Sequence, residues 1–307
     1  MNRLQELTEK ILKLKEEKKA LILAHNYQRP EVQDIADYVD DSVGLSRRAM
    51  LEEECKIIVF SAVDFMAETA AILNPGRKVL VPSMGAKCPM AHMLPAETVA
   101  EYKRRYPDIP IVLYVNTLAE AKALCDVCCT SANAVEIVEA LDSDTILFGP
   151  DANLAEYVAK RTSKNVIPIP ERGFCPTHIL FLREDVARAK SLHPEAVVMA
   201  HPECTIDVQE MADFIGSTTQ MCRYAKSSSH SSFIVATEVG LLHRLRKENP
   251  GKSFIPAYKD AVCPNMKLNT LERIYLALRD ERYLVKIPEN IASKARRALE
   301  RMFELSR

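Results

Sequence analysis

Three cysteines in this 307-residue chain are each followed by proline: Cys88-Pro89, Cys175-Pro176 and Cys263-Pro264. They lie 87 and 88 residues apart. Closed structural zinc sites draw their thiolates from local C-x₂₋₄-C pairs, whereas here each donor comes from a distant part of the chain. Three ligands leave one coordination position open, as a catalytic metal requires. Soft thiolates suit zinc or an iron–sulfur cluster. A cluster on three cysteines keeps one iron free to act as a Lewis acid. The tight four-cysteine run of an electron-transfer ferredoxin is absent. Proline after each ligand fixes φ and stiffens the turn.

Other reactive side chains follow the same period. Polar residues close an apolar run at His25-Asn26-Tyr27, at Tyr114 and Asn116, and at His201 and Glu203. His25, His201, Glu203 and Tyr27 are candidate proton-transfer groups. A hydroxyl comes 17, 15 and 16 residues after His25, Asn116 and His201: Ser42, Ser131, and Ser217 with Thr218. Each opens a helical stretch and is expected to cap it, so each offers N–H groups and a positive dipole end to a phosphate or carboxylate. His92, His178, His193, His230 and His243 have no periodic counterpart and read as surface or local structural residues, with His178 three positions after Cys175. Cys125, Cys128 and Cys129 form C-x-x-C-C, but they fall at a helix end and in a short apolar step, where small apolar filling is the better account. Cys55, Cys204 and Cys222 read the same way.

The elements that must position these groups also come in threes. Apolar, β-branched runs occupy Leu21–Ala24, Ile57–Phe60 and Val79–Val81, then Ile111–Val115, Thr145–Phe148 and Val166–Ile169, then Val197–Ala200, Phe233–Ala236 and Phe254–Ile255. A shorter apolar step lies around Val39, Val127 and Phe214-Ile215. Helical patterns fill the gaps, as at Phe65–Leu73, Asn153–Lys160 and Glu238–Lys247. Buried strands alternating with helices predict an α/β fold with short parallel sheets. We expect three similar α/β/α sandwich domains around a pseudo-threefold axis, at residues 1–95 (with an N-terminal helix over Met1–Lys19), 96–180 and 181–270. A helical segment, 271–307, should follow, with patterns over Leu268–Asp280 and Ser293–Leu305. Ligands of open parallel sheets bind beyond the strand C-termini, which is where the reactive residues gather.

Composition narrows the function. With 41 Lys and Arg against 42 Asp and Glu, the net charge is −1, so the basic face of a nucleic-acid binder is not expected. No apolar run reaches the ~18 residues of a membrane span, and the Lys- and Glu-rich N-terminus is unlike a secretory signal. Eight glycines, the closest two nine apart, exclude both G-x-G-x-x-G and G-x-x-x-x-G-K. Nine cysteines without those features suggest metal chemistry in a reducing, cytoplasmic compartment rather than disulfides.

Taken together, the motifs resemble the quinolinate synthase family over nearly the whole chain. They are Ala24-His25-Asn26-Tyr27, Asp41-Ser42, Cys88-Pro89-Met90-Ala91, Leu113-Tyr114-Val115-Asn116, Cys129-Thr130-Ser131-Ala132-Asn133, Gly173-Phe174-Cys175-Pro176-Thr177-His178, His201-Pro202-Glu203-Cys204, Gly216-Ser217-Thr218 and Cys263-Pro264-Asn265-Met266-Lys267. The resemblance implies three α/β/α domains around a central [4Fe-4S] cluster held by Cys88, Cys175 and Cys263. It implies condensation of iminoaspartate with dihydroxyacetone phosphate to quinolinate, with loss of phosphate and two waters, in de novo NAD synthesis. His25, Ser42, Ser131, Ser217 and Thr218 would hold carboxylates or phosphate. Tyr27, Tyr114, Asn116, His201 and Glu203 would position intermediates, with Tyr27, Tyr114, His201 and Glu203 moving protons. The enzyme that makes iminoaspartate is a candidate partner. Some members carry a redox-active C-x-x-C at the third ligand; this chain has Pro-Asn-Met-Lys after Cys263 and lacks it.

Overall fold

The computed structural model describes residues 3–52 and 54–306. The first two residues of the expected N-terminal helix lie outside them; the helix itself spans Arg3–Glu17. Twelve parallel strands form three four-stranded sheets among the described residues. The first sheet holds β1 (Ala20–His25), β2 (Tyr38–Asp40), β3 (Ile57–Ser61) and β4 (Lys78–Leu80), in the order β2-β1-β3-β4. The second holds β5 (Ile111–Tyr114), β6 (Val127–Cys129), β7 (Thr145–Gly149) and β8 (Asn165–Pro168), and the third β9 (Val197–Ala200), β10 (Phe214–Ile215), β11 (Ser232–Ala236) and β12 (Ser253–Pro256). Their orders, β6-β5-β7-β8 and β10-β9-β11-β12, repeat that of the first sheet. Each expected apolar run became a strand, and the three short steps became the edge strands β2, β6 and β10.

Strands such as β1, β3 and β9 bury almost every residue, because helices cover both faces of a parallel sheet and leave no solvated side. One side-chain device recurs within the first three residues of each first strand. Asp37 Oδ2 accepts from Ile22 N, Asp126 Oδ2 from Ile111 N and Asp213 Oδ2 from Val198 N, each at 2.8 Å. A second device holds the chain leaving those strands. Gln33 Nε2 donates to Asn26 O and Gln28 O, and Gln209 Nε2 to Pro202 O and Cys204 O. Lys122 takes this place in the middle repeat, its Nζ donating to Thr117 O although the side chain is fully buried.

The chain divides into two compact units, 1–88 with 263–293, and 89–262 with 294–307. The first contains the first sheet, packed through Ile22, Val59 and Leu80 against Ile11, Ile274 and Leu278 of its helices. The second contains the other two sheets and the rest of the last helix. Three helix boundaries differ from expectation. The Glu238–Lys247 pattern is helical only from Leu241 to Glu248, since Glu238 spends its carboxylate on Gly240 N, 2.7 Å away. The Leu268–Asp280 pattern breaks at Asn269, and Thr270 caps a new helix over Leu271–Asp280. The last helix starts earlier than Ser293, at Glu289, one residue after Pro288. No helix among the described residues is long and apolar enough to cross a membrane.

Candidate active site

In each repeat the sheet order reverses between the first and third strands, and the crevice at such a switch point is the natural ligand site. In the first unit, β1 delivers His25 and Tyr27 there. Tyr27 N donates to His25 Nδ1 at 3.1 Å, and the two rings meet edge to face at 4.6 Å. The same turn recurs after β9 in the second unit, where Glu203 N donates to His201 Nδ1 at 3.2 Å. A ring nitrogen that accepts from a backbone N–H cannot carry the proton, so both histidines hold theirs on Nε2 when neutral.

The second unit assembles a denser cluster. Glu203 Oε2 lies 2.7 Å from His178 Nδ1 and 3.8 Å from His201 Nδ1, while Asn116 Nδ2 donates to Glu203 Oε1 at 3.4 Å. Tyr114 hydrogen-bonds the same carboxylate. The rings of His178 and His201 stack at 4.6 Å, and His178 Nε2 is 2.9 Å from Thr237 Oγ1. Burial drives His201 down to about 3, so its imidazole is neutral near pH 7. Burial works against the charge on Glu203, yet His201, His178 and the hydrogen bonds from His178 and Tyr114 hold its carboxyl well below the usual range. Asp151, at the end of β7, is pushed the other way by burial and by Glu203. Thus β5 and β9 bring Tyr114, Asn116, His201 and Glu203 together as one group.

His178 corrects the sequence reading. It is neither a surface nor a merely local residue: it is 1% exposed and touches both His201 and Glu203. Its position three after Cys175, in the short 3₁₀ turn His178–Leu180, was the available signal. Thr237 and Asp151 were also missed, because neither stands in a motif that names a chemistry.

The hydroxyl positions divide. Ser217 caps the helix Thr218–Ser227 as expected, accepting from Gln220 N while Gln220 Oε1 accepts from Ser217 N at 2.8 Å. Ser42 is instead the first residue of its helix, and Asp41 is the cap, accepting from Gly44 N at 3.0 Å. Ser131 lies in the turn before the helix Ala134–Glu139, and Asn133 Oδ1 takes the N–H and hydroxyl of Thr130. Asp41 caps the helix beside Ser42 through its carboxylate, whereas Asn133 stands at the N-cap position with its side chain turned back to Thr130 and makes no side-chain cap bond. Gln220 Nε2 also reaches Ala132 O at 3.3 Å, which ties the Ser131 turn to the Ser217 cap.

None of the nine cysteines is joined in a disulfide. Cys88, Cys175 and Cys263 each follow the last strand of a sheet and keep half-buried side chains, whereas Cys128, Cys129, Cys204 and Cys222 are buried. Burial raises the thiols of Cys129 and Cys204 far above the ordinary range; for Cys125 the hydrogen bond to Cys128 comes first and burial second. Those thiols are poor thiolate donors, as the packing role requires. At Cys175, ligand atoms of Cys175, His178 and Glu203 lie within 4.8 Å of one another, a set able to hold a metal ion. A half-buried thiol on a constrained loop is the donor that a metal or cluster needs, and all three Cys-Pro loops supply one.

Parallel-sheet repeats with a histidine–glutamate cluster and accessible thiols at the strand ends define an α/β enzyme with a metal-competent site. The chain belongs to the quinolinate synthetase A protein family, whose model matches residues 9–304. It is 55% identical over 302 residues to the quinolinate synthase of Pyrococcus horikoshii, covering 98% of this chain and 100% of that protein. The quinolinate synthases of Methanothermobacter thermautotrophicus and Thermotoga maritima are 54% and 50% identical, covering 99% and 97% of this chain and 99% of each relative.

Proposed function

We propose that this chain is a quinolinate-forming enzyme, joining iminoaspartate to dihydroxyacetone phosphate with release of phosphate and two waters. The observation that carries the reading is the full-length match at 50–55% identity to proteins of that name. Summed over substrates and products, the reaction neither gains nor loses electrons, so it calls for acid–base and Lewis-acid chemistry. Cys88, Cys175 and Cys263 would hold a [4Fe-4S] cluster, which when bound supplies a Lewis acid through its open iron.

The chain's own groups account for the rest. His25, Ser42, Ser131, Ser217 and Thr218 are assigned to the carboxylates and phosphate, and the capped helix start at Thr218 gives one of these a positive dipole end. Neutral His201, with its proton on Nε2, donates to a developing oxyanion without adding a buried charge. Ionised Glu203 orients His178 and Tyr114 and accepts a proton from a substrate carbon or nitrogen through them. Tyr27, beside His25, offers a second hydroxyl for proton transfer. Nine cysteines with no disulfide among the described residues suit a cytoplasmic setting, and the enzyme supplying unstable iminoaspartate is the expected partner.

The test is an anaerobic assay with both substrates. Quinolinate formation by a brown protein containing iron and acid-labile sulfide is the expected result, and Cys88→Ala, Cys175→Ala and Cys263→Ala should each abolish the cluster while Cys125→Ala should not. An intact cluster with no product would leave an iron–sulfur protein of another function. A second reading, a single zinc ion, draws on the convergence of Cys175, His178 and Glu203; a colourless active protein with one zinc would establish it.

A further inference from the structure

The third strand of every sheet leads to a carboxylate at an even spacing: Asp64, Asp151 and Glu238, 87 residues apart each time. The Cys-Pro loop follows 24, 24 and 25 residues later. In two repeats the carboxylate touches the cysteine directly. Asp64 Oδ1 accepts from Cys88 N at 2.9 Å, and Asp151 Oδ2 accepts from Cys175 N at 3.1 Å. A backbone bond completes each contact: Asp64 N donates to Ala86 O and Ala152 N to Gly173 O, both at 2.8 Å. At Gly173 the approach is so close that a Cβ would lie 1.7 Å from Pro150 O, which keeps that position glycine.

Helix capping does not explain the pair. Asp151 is the N-cap of its helix and gives its other oxygen to Leu154 N at 2.7 Å. Asp64 is already inside its helix, with Val63 at the cap, and the same oxygen that takes Cys88 N also takes Phe65 N at 2.9 Å. The two aspartates thus stand at different helical positions, and what they share is the cysteine N–H. In the third repeat the carboxylate is that of Glu238, one methylene longer, and the sequence from it to Cys263 is one residue longer.

We infer that Asp64 and Asp151 are positioning residues that clamp the Cys88 and Cys175 loops onto the helix starts, holding the two thiols ready for a metal cluster before it arrives. This rests on the assignment of those cysteines as cluster ligands. Partners one bond removed from a metal ligand commonly govern how firmly the metal is kept, by 10–100-fold in affinity. Here the clamp works through the backbone, where a ligand's N–H would otherwise be left without a fixed acceptor in a half-buried loop.

The test follows iron loss from the anaerobically prepared holoprotein into a ferrous chelator, for wild type and for Asp64→Ala, Asp151→Ala, Asp64→Asn, Asp151→Asn and Asp37→Ala. The alanine variants should release iron about tenfold faster or more. Asp64→Asn, which keeps the one oxygen that takes both N–H groups, should remain near wild type, whereas Asp151→Asn can accept from only one of Cys175 N and Leu154 N and should release iron at a rate between wild type and Asp151→Ala. Asp37→Ala breaks a strand contact far along the chain from any Cys-Pro loop and should lower the melting temperature without speeding iron release. Wild-type release rates in both alanine variants, or equal acceleration in Asp37→Ala, would overturn the clamp. Should the buried Asp151→Ala not fold, the half-buried Asp64 pair decides alone. A wild-type protein that takes up neither iron nor sulfide overturns the cluster assignment, and the clamp with it. A wild type that loads normally beside unaffected variants overturns the clamp only.

Discussion

The turns His25-Asn26-Tyr27 and His201-Pro202-Glu203 share one backbone plan in different sheets. In each, the imidazole Nδ1 accepts the N–H two residues on, at 3.1 and 3.2 Å, which sets the tautomer and aims the ring. They differ in the residue that supplies that N–H. Tyrosine brings a neutral hydroxyl packed edge-on against its histidine. Glutamate brings a charge, and around it the second unit gathers His178, Tyr114 and Asn116. A repeated fold therefore hands over a fixed geometry, and the variable position two residues later decides whether the site carries a hydroxyl or an anion. A buried anion needs partners, which explains why the second turn is crowded with polar groups.

The largest effect should separate the two turns directly. Glu203→Gln keeps the shape but removes the charge that organises four side chains, and kcat for quinolinate should fall about 10²- to 10⁴-fold. Tyr27→Phe removes one hydroxyl from a turn otherwise intact, and about a tenfold loss is expected. Similar losses in steady-state assays would erase the distinction between the two turns. A smaller effect concerns stability against pH. His201 titrates near 3 in the folded protein and near 6.5 when unfolded. Between those values the unfolded chain binds the extra proton, so this residue's contribution to stability is full above pH 6.5 and is lost as pH falls toward 3. The slope is at most about 1.4 kcal/mol per pH unit. Denaturant titrations from pH 7 to pH 4 should show that slope reduced in His201→Asn. The smallest effect tests the hydroxyls. Ser217→Ala removes a true cap and should cost about 1 kcal/mol, while Ser131→Ala, which caps nothing, should stay within about 0.5 kcal/mol in the same melts.

The sheets were readable because strands buried on both faces are written as continuous β-branched runs, and nothing else in a chain of this size looks like Ile57–Phe60 three times over. The cysteine loops were readable from their period. His178 was not, since its role comes from a contact with Glu203 across 25 residues and from stacking on His201, and neither leaves a pattern in one sequence. The caps expected at Ser42 and Ser131 fail for local reasons: Asp41 takes the cap position ahead of Ser42, and the helix after Ser131 begins only at Ala134, with Asn133 at its N-cap. Asp64 and Asp151 share the 87-residue period of the cysteines, but as ordinary helix-start residues they announce no role until their backbone partners are known. Family membership adds weight to the residues that already stood in motifs and says nothing about those that did not.

The middle repeat carries one substitution whose effect reaches beyond the site. Where its neighbours use Gln33 and Gln209 to fasten the loop after the first strand, it uses Lys122, fully buried against Thr117 O. A glutamine is chemically silent, but a lysine is a label waiting for exposure. An amine-specific reagent should pass over Lys122 in the native protein and modify it only when that loop lets go. The middle repeat thus contains its own clock for local opening, readable by mass spectrometry without altering a single residue.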